Sequence, residues 1–217
     1  MKAKWLTASL LYNPERVSLK KGALAGDATT AVGYDKKTGL TVNPGRIDPM
    51  NEAFNDSRKP LAAEFTVDGK ALIVIVNHWN SKGGDTPLFG QVQPVKLASE
   101  VQRQKIAQVV SNFVGDVLAK NPQANIISVG DYNDFQFSEP LQMFERAGMT
   151  NLIHKVPKNE RYTYVYQGNS QVLDHIFVSK SLQNGAKIDI VHVNADFTEQ
   201  AGRASDHDPL VTQVKLK

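Results

Sequence analysis

Two consecutive runs in the first half of the chain are mostly apolar and strand-like, "LAAEFTV" and "KALIVIVNH". The dipeptide Asp68-Gly69 separates the runs, and Asp-Gly favours the positive φ angles of a tight hairpin turn. The pattern therefore predicts a β-hairpin that begins near Leu61 and delivers His78 at the end of its second strand.

Apolar residues recur at helical spacing between Ser99 and Asn121-Pro122, which predicts a long helix with one buried face. Ser99 and Gln102 have the spacing of a capping box at its start. A second, shorter helix is predicted within "SEPLQMFERAG", closed by Gly148.

Further strands are predicted in the remaining segments. One is the buried run "NIISV", which places Asp131 and Asn133 at its carboxyl end, and others lie in "RYTYVYQGNSQVLDHIFVS" around a Gly168-Asn169 turn, in "AKIDIVHV" and in "PLVTQVKL". The start, "MKAKWLTASLLYNPERV", is also predicted to form a strand. We therefore expect one α+β domain over residues 1–217, with an irregular strand-plus-loop region at 1–60 and a core at 61–217.

Composition narrows the classes of protein that the chain can represent. Its 217 residues are 41% hydrophobic and 22% charged, as in an ordinary globular protein. The net charge of +3 permits a polyanionic partner but does not establish one. Without cysteine the chain has no disulfide, thiolate metal site or cysteine nucleophile. No apolar run is long enough to cross a membrane, and the amino-terminal segment lacks a signal-peptide cleavage pattern.

Four polar segments each lie beside a predicted strand: "NHWNSKGGD", "GDYND", "LDHI" and "SDHD". Because loops at one rim of a sheet converge, we expect these segments to form one site. Asp131 and Asn133 could equally be turn residues. Asp174 interrupts a β-forming run, where a buried carboxylate needs a partner. His175 must point to the opposite face and is predicted to be structural.

The same alternation separates Asp206 from His207. We expect Asp206 to contact a metal ion and His207 to be oriented by Asp174, since a carboxylate behind an imidazole fixes its tautomer and raises its basicity. Oxygen ligands without a zinc motif favour Mg²⁺, Mn²⁺ or Ca²⁺. Three further titratable residues are predicted to be structural. His154 and His192 are expected to be core or surface histidines, and Asp208 a turn or surface residue.

Together the four segments, with "FNDSRKPLAAEF" and "ERYTYVYQGNSQVLDHI", resemble the carboxyl-terminal half of the endonuclease/exonuclease/phosphatase superfamily. This superfamily includes deoxyribonuclease I-like nucleases, and the resemblance is greatest to bacterial extracellular nucleases. It implies a β-sandwich flanked by helices, with the amino-terminal portion missing. It also implies a divalent-metal-dependent phosphodiester hydrolase, foremost a DNA or RNA endonuclease.

The resemblance implies a role for each matching residue. His78 would contact the scissile phosphate, Asp174 and His207 would form the catalytic carboxylate–histidine pair, and Asp206 would bind the metal. Asp131 and Asn133 would orient the attacking water and hold a phosphate oxygen or the metal. Three further residues are phosphate or substrate contacts by this resemblance, although a solvated loop is an equal alternative for the last two: Arg58, Asn80 and Lys82.

Members of the superfamily also carry a metal-binding glutamate in an amino-terminal half, and neither Glu15 nor Glu52 lies in that motif. We therefore expect a fragment with weak or absent catalysis alone. An exposed sheet face would favour self-association, unless a missing amino-terminal segment covers it. The expected substrate is nucleic acid, DNA before RNA, and the parent protein is expected to be secreted or periplasmic. The alternatives are a phosphatase or phosphodiesterase acting on nucleotides or phospholipid head groups, and a non-catalytic half-domain that binds nucleic acid or a partner chain.

Overall fold

The computed structural model describes residues 8–87 and 90–216. Its strands are β1 (Ser18–Leu19), β2 (Tyr34–Asp35), β3 (Gly39–Leu40), β4 (Gly45–Arg46), β5 (Leu61–Val67), β6 (Lys70–His78), β7 (Ile126–Asp131), β8 (Met149–Asn151), β9 (Tyr164–Tyr166), β10 (Asn169–Gln171), β11 (Asp174–Ser179), β12 (Lys187–Ile190) and β13 (Leu210–Gln213). The helices are α1 (Ala98–Lys120), α2 (Glu139–Arg146) and α3 (Lys180–Gln183), with 3-10 turns at Glu52–Phe54, Leu152–Lys155, Lys158–Glu160 and Glu199–Ala201.

One seven-stranded sheet organises the described residues, in the order β1-β5-β6-β7-β11-β8 with β4 also paired to β5. Strands β6 and β7 are parallel and are connected through α1, whereas the other pairs in this sheet are antiparallel. The predicted hairpin is present: β5 and β6 are joined at Asp68 and Gly69, with φ angles of 48° and 76°.

The two faces of the sheet are covered differently. On β6, Ile73 and Ile75 are buried under the helices, while the alternate positions Val74 and Val76 are half-buried on the opposite face. The helical face forms the larger core, to which α1 and α2 contribute Ile106, Ala107, Val110, Val114, Val117, Leu141 and Phe144. The amphipathic spacing of α1 thus buries one stripe against the sheet.

The opposite face is covered over β7 and β11 by a smaller layer. Ile127 and Ile176 pack there against Leu182 of α3, with Ile188 of β12 and Leu210 of β13 at the margin. Strands β12 and β13 pair only with each other among the described residues. The predicted α+β class is confirmed, as a mixed sheet with α1 and α2 on one face and with α3 and a two-stranded sheet on the other.

The predicted capping box at the start of α1 is wrong. The first turn is capped from a distant loop by Asp85, whose carboxylate accepts the backbone N–H of Ser99 at 2.9 Å and its hydroxyl at 2.5 Å. Gln102 instead donates to the carbonyl oxygen of Asn55 at 2.7 Å. A capping partner supplied by a distant segment leaves no signature at the helix itself.

Two strand predictions also need correction. The turn between β9 and β10 is formed by Gln167 and Gly168, with φ angles of 50° and 77°, one residue earlier than predicted. The predicted amino-terminal strand falls partly on residues 1–7, outside the described residues, and residues 8–17 contain no strand. None of the helices among the described residues has the length and apolar character that a membrane crossing requires.

Candidate active site

Strand register places three titratable residues in one row. His78 is the register partner of Asp131 across β6 and β7, and Asp131 is the partner of Asp174 across β7 and β11. Register partners on adjacent strands project to the same face of a sheet. The three side chains therefore stand side by side at one rim, on the face opposite α1.

His207 reaches this row from the loop before β13. Its Nδ1 lies 2.6 Å from Oδ2 of Asp174, and the Thr163 hydroxyl donates to the same oxygen at 2.7 Å. A backbone bridge joins Tyr164 to His207, and their rings are 4.7 Å apart. The predicted contact between Asp174 and His207 is present, and it leaves Nε2 of His207 as the nitrogen available for proton transfer.

The environment of His207 favours its protonated form. Burial would lower the pKa of the imidazole, but the hydrogen bond and charge of Asp174, with the charges of Asp131 and Asp206, outweigh burial and raise the pKa above its ordinary value. A histidine with a raised pKa is a stronger base, so its neutral form accepts a proton more readily than a free imidazole does.

Asp131 is the most perturbed carboxylate of the row. Burial, followed by the charge of Asp174, raises the pKa of Asp131 to about 6. Its two oxygens accept the backbone N–H of Asn133 at 2.8 Å and the side-chain amide of Asn133 at 2.9 Å. Asn133 has a φ of 51° and also donates from Nδ2 to the carbonyl oxygen of Trp79 at 3.1 Å. These bonds fix its Oδ1 as the amide atom available to a ligand.

Gly130, immediately before Asp131, is required by close backbone approach. Its φ is 133°, and a Cβ there would lie 2.0 Å from the carbonyl oxygen of Asn77 on β6. Only glycine adopts this conformation without strain. Gly130 and the supporting residues Thr163 and Tyr164 are not among the predicted site residues, although the alternation in "RYTYVY" places Tyr162, Tyr164 and Tyr166 on one side of a strand.

His78 completes the row with its Nε2 3.5 Å from Oδ2 of Asp131. Its side chain is 40% exposed, which leaves it open to a ligand. Burial and the charge of Arg58 lower the pKa of His78, with a smaller opposing effect from Asp174. The charge of Arg58, a partly buried residue, is also a small effect opposing the rise in the pKa of Asp131.

The remaining predicted site residues are placed less centrally. Asn80 donates to the carbonyl oxygen of Ser99 at 3.1 Å, and Lys82 contacts Asp134 at 3.1 Å, so both side chains have partners within the protein. Asp206 is exposed and does not belong to the cluster of Asp131, Asp174 and His207, although its charge raises the pKa of His207.

One group of potential metal ligands is found among the described residues: Asp131, Asp174 and His207, with ligand atoms within 4.8 Å of one another. Asp174 and His207 already hydrogen-bond each other, so the cation-facing part of this group is Asp131, whose Oδ2 accepts from Nδ2 of Asn133. Oxygen donors of this kind fit a hard divalent cation. Burial and the charge of Asp174 disfavour the ionised form of Asp131, and a bound cation would offset both effects.

The other histidines are held by partners distant in sequence. His175 is buried, accepts from Asn151 at 3.0 Å and donates to the carbonyl oxygen of Asp134 at 2.9 Å, consistent with its predicted structural role. His154 contacts Glu145 at 3.2 Å, and His192 contacts Asp208 at 2.8 Å.

The prediction that Asp208 is a turn or surface residue is wrong. Its carboxylate is buried and accepts backbone N–H groups from residues 193, 194 and 195 at 2.8 to 3.1 Å, as well as Nδ1 of His192. Only the fold brings these donors to it, because they lie 13 to 15 residues earlier in the chain.

The model of the Endonuclease/Exonuclease/phosphatase family matches residues 42–203, three-quarters of the chain. The chain belongs to this family. Its members hydrolyse phosphoester bonds and generally use divalent metals. The matched residues include His78, Asp131 and Asp174, whereas Asp206 and His207 lie just beyond them. No curated protein sequence matches the chain.

Solved structures with this fold agree with the family assignment. The human Nocturnin catalytic domain with a bound sulfate anion superposes with a TM-score of 0.55 at 13% identity, covering 93% of this chain and 61% of that domain. A Bacteroides thetaiotaomicron mannosyl-6-phosphatase gives 0.56 at 16% identity, covering 94% and 69%. A Neisseria meningitidis 3'-5' exonuclease gives 0.52 at 19%, covering 74% and 66%. At these identities the likeness shows the fold alone.

Proposed function

We propose that the chain is a divalent-cation-dependent phosphodiester hydrolase that cleaves nucleic acid, with DNA as the preferred substrate. The observation that carries this proposal is the Asp174–His207 pair, held at 2.6 Å in line with Asp131 and His78 at one rim of the sheet. Hydrolysis of a phosphodiester needs an oriented water, a base, and positive charge around the phosphate oxygens, and this row offers groups for each need.

His207 is the base in this proposal. Asp174 holds Nδ1, so Nε2 accepts the proton of the attacking water, and the imidazolium that forms remains paired with the carboxylate. Asp131 and Asn133 orient that water. His78 and Arg58 face the phosphate oxygens, where the guanidinium supplies a planar fork of donors.

Asp131 and Asn133, with Asp206 from the neighbouring loop, would hold the cation, for which Mg²⁺ is the leading candidate and Mn²⁺ or Ca²⁺ the alternatives. A bound divalent cation would supply charge neutralisation at the phosphate. The chain's own residues supply the water orientation and the proton transfer described above.

Aromatic rings beside His207 favour a substrate that carries bases. Tyr164 lies over the His207 ring, and Tyr166 continues this stack at 6.4 Å with nearly parallel planes. Tyr166 is 51% exposed. Exposed rings next to a phosphate-binding site are suited to stacking on nucleobases.

The deciding experiment is hydrolysis by the purified chain at high protein concentration, with Mg²⁺ or Mn²⁺ and with EDTA as the metal-free control. Four substrates separate the candidate activities: plasmid DNA, a single-stranded oligonucleotide, bis-p-nitrophenyl phosphate and p-nitrophenyl phosphate. We expect slow, metal-dependent cleavage of DNA and of the diester. His207→Ala should lower kcat by about 10² to 10⁴-fold, the usual contribution of a general base. His154→Ala, an exposed histidine outside the row, is the matched control.

The other outcomes assign the site differently. Hydrolysis of p-nitrophenyl phosphate without cleavage of either nucleic acid would favour the phosphatase alternative. Salt-sensitive DNA binding, with no turnover of any substrate and no effect of His207→Ala, would contradict the proposal and favour a nucleic-acid-binding half-domain.

A further inference from the structure

A buried cation lies behind the loops that carry the site. Arg103, in the second turn of α1, has a side chain that is 1% exposed. Its Nε donates to Oδ2 of Asp134 at 2.8 Å, and Nη1 donates to the Ser99 hydroxyl at 2.8 Å. The same Nη1 contacts the carbonyl oxygens of Asn80 and Ser81 at 3.4 and 3.3 Å. Arg103 therefore joins α1 to the loop that follows His78.

Asp134 is the centre of these contacts and is also buried, with a side chain that is 2% exposed. Oδ1 accepts Lys82 Nζ at 3.1 Å and the N–H of Phe135 at 3.0 Å, and the Asp134 carbonyl accepts from His175 at 2.9 Å. The Asp134 carboxylate thus contacts α1 and the loop after β6, while its backbone carbonyl accepts from a side chain of β11. Asp134 directly follows Asn133 in the chain.

The energetics of the buried Arg103–Asp134 ion pair favour a role in positioning the two loops over a role in stabilising the fold. Two buried ions lose hydration that their mutual attraction often fails to recover, so a buried pair is weak evidence for stabilisation. The planar guanidinium of Arg103 instead reaches a carboxylate, a hydroxyl and two carbonyl groups in fixed directions. Arg103, Asp134 and Lys82 together carry a net charge of +1, and the charge is presented by the partly exposed ammonium of Lys82, 4.4 Å above the Phe135 ring.

We propose that Arg103 is a positioning residue that fixes the loop of residues 79–85 against the loop of residues 131–135. The two loops also touch directly: the N–H of Trp79 donates to the Asp131 carbonyl at 2.9 Å, and Asn133 donates to the Trp79 carbonyl at 3.1 Å. With Arg103 in place, His78 and Asn133 hold their positions on either side of Asp131. The catalytic consequence rests on the proposed function, whereas the effect on the loops does not.

Three variants separate positioning from charge compensation. Arg103→Met removes the cation and every hydrogen bond of the guanidinium. Arg103→Met combined with Asp134→Asn also removes the carboxylate charge, so the double variant regains stability without regaining the contacts to the 80 and 81 carbonyl groups. Arg103→Lys keeps the charge without the fork. Val110→Ala is the matched control, because Val110 is buried on the same helix and belongs to the main core.

We expect Arg103→Met and the double variant to lower kcat for the diester by about 10- to 100-fold, the scale of an ångström-sized misplacement, with a smaller change in KM. Arg103→Lys should recover part of this loss. Hydrogen exchange of the amides of residues 79–85 and 132–135 should accelerate in Arg103→Met and in the double variant. Val110→Ala should lower the unfolding midpoint without changing kcat or exchange in these loops.

Recovery of both kcat and loop protection in the double variant would overturn the proposal and make Arg103 only a counter-ion. So would a kcat loss no larger than that of Val110→Ala. If the wild-type chain hydrolyses none of the phosphoesters, the proposed function fails, while hydrogen exchange still decides whether Arg103 holds the loops.

Discussion

Two of the carboxylate–histidine contacts among the described residues are made through Nδ1 at less than 3 Å, and they meet at the consecutive residues His207 and Asp208 of one loop. Asp174 contacts Nδ1 of His207 at 2.6 Å, and Asp208 contacts Nδ1 of His192 at 2.8 Å. The two pairs have the same chemistry and nearly the same geometry. Their surroundings differ, and those surroundings separate the pair we place in the active site from the pair that we regard as structural.

The Asp174–His207 pair stands open beside Asp131, and the imidazole is 25% exposed. The Asp208 carboxylate is fully buried and holds three backbone N–H groups of the loop that begins at His192. The His192 ring is stacked on Tyr162 at 4.1 Å. In the first pair the second ring nitrogen belongs to a partly exposed imidazole beside Asp131, whereas Nε2 of His192 is buried, 3.6 Å from Glu160, and the Asp208 carboxylate bonds the backbone. A carboxylate–histidine contact therefore indicates function only together with what surrounds it.

The comparison is tested most strongly by Asp174→Asn. This change removes the charge that orients His207 and supports its imidazolium, so kcat should fall by about 10² to 10⁴-fold. The free energy of unfolding should change by less than about 1 kcal/mol, since Asn retains an acceptor for Thr163. Diester hydrolysis and urea unfolding measure the two effects. Asp189→Asn, an exposed strand carboxylate, is the control. An unchanged kcat would remove the distinction between the pairs.

Asp208→Ala should give the opposite result, with its primary effect on folding. It leaves several buried N–H groups without an acceptor, at a cost of about 1 to 3 kcal/mol for each group that cannot find water. We expect the free energy of unfolding, measured in urea, to fall by at least about 3 kcal/mol. Any loss of activity should follow the unfolded fraction. A variant as stable as the wild type would show that the loop does not depend on Asp208.

The two pairs should also differ in how pH changes the stability contributed by a carboxylate: Asp131 beside the first pair, and Asp208 within the second. Burial, followed by the charge of Asp174, raises the pKa of Asp131 from 3.8 to about 6. The folded state thus binds this proton more tightly than the unfolded state, and stability from this group falls as pH rises from about 4 through about 6. In EDTA, Asp131→Asn should therefore be more stable than the wild type at pH 7 and lose that advantage near pH 4.

Asp208 shifts in the other direction. Burial would raise the pKa of its carboxyl, but hydrogen bonds from the backbone N–H groups and from His192 lower the pKa below 3.8. Its stabilisation is present above that ordinary value and is lost as pH falls through the lower folded value. Asp208→Asn should therefore be destabilised at pH 7 and approach the wild type in acid. Thermal unfolding of both variants between pH 3 and pH 8 measures this contrast, and parallel profiles would contradict it.

His192→Phe should have the smallest effect. The phenyl ring retains the stack on Tyr162 and loses the hydrogen bond to Asp208, at a cost of about 1 kcal/mol in the free energy of unfolding. We expect kcat to stay within about twofold of the wild type, because the hydrogen bond and the ring stack of His192 go to Asp208 and Tyr162, outside the row of His78, Asp131 and Asp174. A tenfold fall in kcat would mean that the second pair also takes part in the chemistry.

Much of the site follows from local pattern. The strand endings at His78, Asp131 and Asp174 could be read from alternation and turn residues, and the assignment of His175 to the opposite face follows from the same alternation. Arg103 could not be found in this way. Helical spacing puts position 103 on the same buried stripe as Ile106, Ala107 and Val110, but the partner that an arginine needs there comes only from the packing of two loops over α1, which brings Asp134 to it.

Sequence alone determined the α+β class, the main helix, the hairpin at Asp68-Gly69 and the family, because these depend on periodicity and on short motifs within single segments. Tertiary structure decided that three side chains share one register row, that Asp85 caps α1, and that His207 and Asp208 serve separate pairs. These outcomes depend on contacts between segments tens of residues apart. Burial and neighbouring charge, which set the pKa of Asp131 and the partner of each histidine, exist only after those segments have packed together.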